Sequence, residues 1–194
     1  VLPLILLAHE RPSQFDHRQY APLMLLWKAI CMTVAARPEH AVLFGAVSIS
    51  QDYAPASRDL MVAFLEALRE EPMARYVQAR HSYRLFPGPR WHERQARRFL
   101  TDIESLSGTV SDIEADGKGV PVLLRQYLKV GGRTLGVSVD PGFSNVVDVL
   151  IAVDLRQTPD ASLARHMGAD AARRFLDYHT ARAGSLLPAR AAGA

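Results

Sequence analysis

Two rhythms of apolar residues divide this chain. Between Pro22 and about Arg37, residues Leu23, Leu26, Trp27, Ile30 and Val34 repeat at i, i+3, i+4 and i+7, the spacing of one helix face. Pro22 suits a first helical turn, where its missing donor is not needed. Met24, Leu25 and Met32 make the remaining faces apolar too, which predicts a deeply buried helix ended by Pro38. Residues 41–50 then form a near-continuous apolar run, the pattern of a central strand covered on both faces. Gly45 within it points to a bulge or a close backbone approach. Helical spacing returns from Pro55 to about Glu71 through Leu60, Phe64, Leu65 and Leu68. It returns again from Phe99 to about Glu114 through Leu100, Ile103, Leu106, Val110 and Ile113, with Gly108 as a candidate break.

The stretch from Pro121 to Phe143 carries charges among apolar runs. Residues 122–130 read as a strand, Gly131-Gly132 as a turn or bulge, and residues 133–139 as a second strand. In the second, Leu135, Val137 and Val139 alternate with Thr134, Gly136 and Ser138, giving one apolar face. Asp140-Pro141-Gly142 reads as a turn. Residues 149–155 alternate as a further strand, and two short helices follow near 160–167 and 170–182, parted by Gly168. This order predicts an α/β chain with a mixed central sheet flanked by helices, not a regular parallel βαβ series.

At 194 residues the chain is long enough for one domain with a sizeable core, and its 48% apolar and 22% charged residues are ordinary for a globular protein. Its one cysteine, Cys31, excludes an internal disulfide and a cysteine-rich zinc site, and reads as a small buried hydrophobe. No apolar run reaches the ~20 residues that span a bilayer, so a cytoplasmic chain with at most peripheral membrane contact is expected. Residues 1–16 read as an atypical or truncated N-terminal segment. Residues 17–182 read as the domain, and 183–194 as a frayed tail.

The net charge of +3 is unevenly spread. Arg75, Arg80, Arg84, Arg90, Arg94, Arg97 and Arg98 lie with His81 and His92 in a stretch opposed only by Glu93. It is either a solvated basic connection or a docking surface for an acidic partner such as acyl carrier protein, anionic headgroups or nucleic acid. Nucleic acid is disfavoured because no recognised binding module accompanies the charge. Phosphate-cradling glycine motifs, a G-x-S-x-G elbow and HExxH are all absent, and the histidines do not cluster with carboxylates as metal ligands. No bound cofactor or metal is expected. Arg133-Thr-Leu-Gly136-Val-Ser138 nearly matches a pyrophosphate-holding R-x-x-G-x-G/A loop. It lies within a strand pattern instead of ahead of a helix, and reads as coincidence.

Three segments resemble one bacterial family: "RQYAPLMLLWKAI" at 18–30, "LFGAVSISQDYAPASRDLMVAFL" at 43–65 and "DGKGVPVLLRQYLKVGGRTLGVSVDPGFSNVVDVLIAVDL" at 116–155. They are similar to the Gcn5-related N-acyltransferases of the ornithine–acyl carrier protein type, a hemolysin-like group. "RHMGADAARRFLDYH" at 165–179 resembles their closing segment. The resemblance implies an acyltransferase-like fold and transfer of a fatty acyl group, of the 3-hydroxyacyl kind, from a carrier or coenzyme A thioester to an amino-acid amine such as that of ornithine. At the start the chain departs from the family's Glu-Leu-Gly-Arg-Ser strand, with Glu10 and Arg11 the only echoes, and the resemblance implies that the family fold's N-terminal strands are missing here.

Such a reaction must hold a thioester beside an amine, polarise its carbonyl and remove a proton. The resemblance puts Ser48 and Ser50 beside the acyl arm, with Asp52 and Tyr53 at the strand's end, where helix capping is the plainer role for Asp52. Glu10 is the candidate general base or amine-binding acid. Arg125 and Lys129, four apart on one expected strand face, would hold an anionic or carbonyl end, or else line a solvated sheet face. Asp140 is a turn former or an amine binder, and Arg94, Arg97 and Arg98 are the carrier-docking candidates. Two alternatives stay open. One is a non-catalytic remnant that binds carrier protein beside a fused or partner glycerolipid acyltransferase; the other is an acyl-homoserine lactone synthase.

Overall fold

The computed structural model describes residues 2–3, 20–69, 71–84 and 102–185. Its elements are β1 (Leu2–Pro3), α1 (Tyr20–Ala36), β2 (Val42–Ile49), α2 (Pro55–Ala67), α3 (Glu71–Ala74), α4 (Ile103–Ile113), α5 (Val122–Lys129), β3 (Arg133–Asp140), β4 (Val146–Asp154), α6 (Asp160–Met167) and α7 (Ala169–Ser185). The expected mixture of helices with a central sheet is present. The strand order is β1-β2-β4-β3, with β1 parallel to β2 and β3 antiparallel to β4. The Leu155 amide donates to the Ala41 carbonyl and Ser48 reaches Asp148, so β2 and β4 also run antiparallel.

The described residues fall into two compact units. The first, from 20–42 and 154–185, packs α6 and α7 on each other and on α1. Its core holds Trp27, Cys31, Val34, Leu163, Met167 and Phe175. Burial pushes the Cys31 thiol up to about pKa 11. One expectation is corrected here: α1 is not buried all round. Trp27, Cys31 and Val34 form its inward line, whereas Leu25 is 67% and Met32 57% exposed. Two packed helices cover one side of a third, which leaves Leu25 and Met32 outside the packed line.

The second unit, from 2–3, 43–84 and 102–153, carries the sheet. Helix α2 packs on β3 and α4, burying Met61, Val62 and Leu65 with Leu106, Val110, Leu124, Val149 and Ile151. Helix α4 starts where the Asp102 carboxylate accepts the Ser105 amide at 2.8 Å, an N-cap of the ordinary kind. It runs unbroken through Gly108, against the expected break.

The larger correction concerns residues 122–130, which form helix α5 and not a strand. Leu123, Leu124, Tyr127 and Val130 are its buried positions, a helical spacing. Gly131-Gly132 is therefore a helix stop and not a hairpin turn. The Gly132 amide donates to the Tyr127 carbonyl at 2.8 Å and the Gly131 amide to that of Leu128 at 3.1 Å, with Gly131 at φ +91°. That pair of bonds is the Schellman closure, which needs a left-handed residue. The actual hairpin lies between β3 and β4. There the Asp140 carboxylate accepts the Gly142 amide at 2.8 Å, as the Asp-Pro-Gly turn requires. A bulge at Leu135 shifts the register between Thr134 and Gly136, so both Thr134 and Leu135 are buried.

Candidate functional site

Strand β3 is the sheet's last strand in this order, so its outer backbone groups need partners. Residues 77–83 supply them as a strap. The Val139 amide donates to the His81 carbonyl at 2.8 Å, the Ser138 hydroxyl donates to the same carbonyl at 3.1 Å, and Ser82 pairs antiparallel with Ser138. The first part of the basic stretch, Arg80 and His81, is thus fixed against the sheet.

A cavity of about 490 Å³ opens beside this junction, lined by Arg80, His81, Ser138, Asp140 and Asp148 with the Pro141-Gly142 turn. Its carboxylates come from the end of β3 and from β4, its basic groups from the strap. Asp148 is oriented from the neighbouring strand: the Ser48 hydroxyl donates to its Oδ1 at 2.6 Å in a part-buried setting. The Asp140 Oδ1 is already engaged by the turn amide. One lining therefore carries acidic groups from the sheet and basic groups from the strap beside it, the complement of a zwitterion.

Ser50, Asp52 and Tyr53 lie in a different corner, where β2 gives way to α2. The Ser50 hydroxyl donates to Asp52 at 2.9 Å, and the Tyr53 hydroxyl donates to the Gly119 carbonyl at 2.8 Å. Lys118 donates to the Asp52 carbonyl at 3.0 Å and sits 4.7 Å from the centre of the Tyr53 ring. It also pairs with Glu114 at 3.5 Å and Asp116 at 3.4 Å. Buried Glu114 accepts the Ala54 amide at 2.8 Å, placing a carboxylate at the start of α2, where the helix dipole favours it. This corner closes the join between β2 and α2.

Arg125 and Lys129 do share a face, through the i, i+4 geometry of a helix and not the alternation of a strand. Both meet Glu104 of α4, Lys129 at 2.8 Å and Arg125 at 3.5 Å. The Lys129 hydrogen bond, with the charges of both cations, holds the Glu104 carboxyl below its usual range. Their anionic company is thus a side chain of this protein. Exposed pairs of this kind contribute about 0–1 kcal/mol. Neither cation lines the cavity beside β3. Glu10, Arg94, Arg97 and Arg98 lie outside the described residues.

The structure brings Ser48 and Asp140 to one site, and adds Asp148, Arg80 and His81. In the sequence, Asp148 is one of two acids bracketing the Pro-Gly turn, and its partner Ser48 is 100 residues away. The usable signal was the pairing of two adjacent strands, each with a polar residue near the same end. Among the described residues no group of three or more His, Cys, Asp or Glu side chains is placed to hold a metal ion. No described helix is long and apolar enough to cross a membrane. No protein-family model, curated protein or solved structure matches the chain.

Proposed function

We propose that this protein is an N-acyltransferase that moves a fatty acyl group from a carrier-protein or coenzyme A thioester to the amine of an amino acid such as ornithine. The observation that carries the reading is the cavity beside β3, whose lining holds both Asp140 and Asp148 and Arg80 and His81. An amino acid offers an ammonium to the first pair and a carboxylate to the second. Asp148, held by Ser48, takes the ammonium proton. The freed nitrogen attacks the thioester carbonyl carbon; the C–N bond forms, the C–S bond breaks, and the extra proton on the acylated nitrogen passes to the leaving thiolate. Positioning the two reactants supplies much of the rate, and no covalent enzyme intermediate is required.

The test is thiol release from an acyl thioester in the presence of ornithine, lysine or glycine. The wild-type protein is expected to release thiol only with an acceptor present. Asp148→Asn should lower kcat/KM about 10²-fold, roughly 2.7 kcal/mol of transition-state stabilisation, the lower end of what a positioned base contributes. Ser48→Ala should cost about 10-fold, because it loosens the base without removing it. No acceptor-dependent release by the wild type, or full activity in Asp148→Asn, overturns the reading.

A further inference from the structure

A second cavity, of about 440 Å³, lies between α2, the strap and β3. Its size falls within the roughly 300–1,000 Å³ of small-molecule pockets. Its aliphatic lining comes from all three elements: Val62 and Ala63 from α2, Val77 and Ala79 from the strap, and Gly136 and Val137 from β3. Three of its polar lining residues, Glu66, Arg69 and Tyr83, are already engaged. Glu66 and Arg69 pair with each other at 3.4 Å, and the Tyr83 hydroxyl donates to Asp59 at 2.8 Å. Burial, with the hydrogen bond to Asp59, holds the Tyr83 phenol well above its usual range, so it stays neutral.

The two cavities are neighbours along the same pair of segments. Gly136 and Val137 line this one and Ser138 to Asp140 the other; Ala79, Ser82 and Tyr83 face this one and Arg80 and His81 the other. A molecule with an aliphatic end and a reacting polar end would span both. A Cβ built on Gly136 would stand 3.2 Å from the Val77 Cγ1, so a side chain there points across the cavity at the strap. The backbone at Gly136 is not left-handed, and L-residues can adopt it.

We infer that this second cavity holds an unbranched hydrocarbon tail and that Gly136, by lacking a side chain, sets the length of tail admitted. The inference rests on the acyltransferase reading for the identity of the head group, but the tail site itself can be tested without turnover.

The experiment is a binding series with octanoate, dodecanoate and hexadecanoate, followed by calorimetry on the full chain. For the wild type, affinity should rise about fourfold per added methylene until the cavity is full. Gly136→Val should weaken hexadecanoate at least tenfold while leaving octanoate within about threefold, because a branched side chain shortens the cavity without closing it. Should Gly136→Val fail to fold, Ala79→Leu fills the same space from the strap and must give the same pattern. Parallel length profiles in wild type and variants overturn the inference, as does an absence of binding by all three. Length-dependent binding without acceptor-dependent thiol release would uphold the tail site and overturn the transferase reading. Thiol release whose chain-length preference is unaltered in the variants would do the reverse.

Discussion

Replacing Glu114 tests whether the corner beside α2 is held by one carboxylate. The residue is buried, and its two oxygens have separate partners: the Ala54 amide at 2.8 Å and the Lys118 ammonium at 3.5 Å. A hydrogen bond to a charged group contributes about 1.5–3 kcal/mol net. The ion pair falls between the ~0–1 kcal/mol of exposed pairs and the ~3–5 kcal/mol cost of breaking buried ones, because the Lys118 side chain is 23% exposed and finds other partners in Asp116 and the Asp52 carbonyl. Glu114→Ala strands the Ala54 amide and is expected to cost about 2–3 kcal/mol. In a chain of this length that lowers Tm by roughly 5–10 °C. Glu114→Gln keeps an acceptor for the amide, loses only the charge, and should cost about 1 kcal/mol. Urea titration followed by circular dichroism reads both as shifts of the midpoint at constant slope. Equal losses in the two variants would refute the separate roles of the two oxygens. An alanine variant within about 0.5 kcal/mol of wild type would make the corner ordinary surface.

Two glycines should respond in opposite directions to the same added methyl. Gly132→Ala places a Cβ 2.6 Å from the Tyr127 carbonyl oxygen and should destabilise by about 1–3 kcal/mol, whereas Gly108→Ala, with no atom within 4 Å, should stabilise α4 by about 0.5–1 kcal/mol in the same titration. His166, 6.0 Å from the Trp27 ring centre, has its pKa lowered first by burial and then by Arg165. Near pH 6 the unfolded chain binds more protons at this site than the folded one, so stability falls as pH drops from about 6.5 through the lower folded pKa. His166→Gln should flatten that part of the midpoint-versus-pH curve; an unchanged slope there would assign the acid sensitivity to other groups.

Local pattern alone was enough for much of the chain. The apolar run from Val42, the alternation through Leu135 and Val137 and that around Ile151 are strands, and the Asp140-Pro141-Gly142 turn joins the last two. Helices α1, α2, α6 and α7 lie where their spacing put them, because Pro22, Pro55 and Gly168 mark boundaries by chemistry that acts within a few residues. Residues 122–130 were ambiguous for a physical reason: an apolar run this short satisfies either period. The signals that favoured a helix were the flanks, with Pro121 ahead, Lys129 in the last turn and Gly131-Gly132 behind, and the i, i+4 spacing of Arg125 and Lys129 toward Glu104. Burial decided the outcome, since only a helix turns Leu123, Leu124, Tyr127 and Val130 inward together. The faces of α1 were equally open, and the packing of α6 and α7 chose Trp27, Cys31 and Val34 over Leu25 and Met32. The cavity beside β3 needed the tertiary structure entirely. Ser48 and Asp148 meet across 100 residues, and Arg80 and His81 join them only because an edge strand recruits a strap to satisfy its free backbone groups.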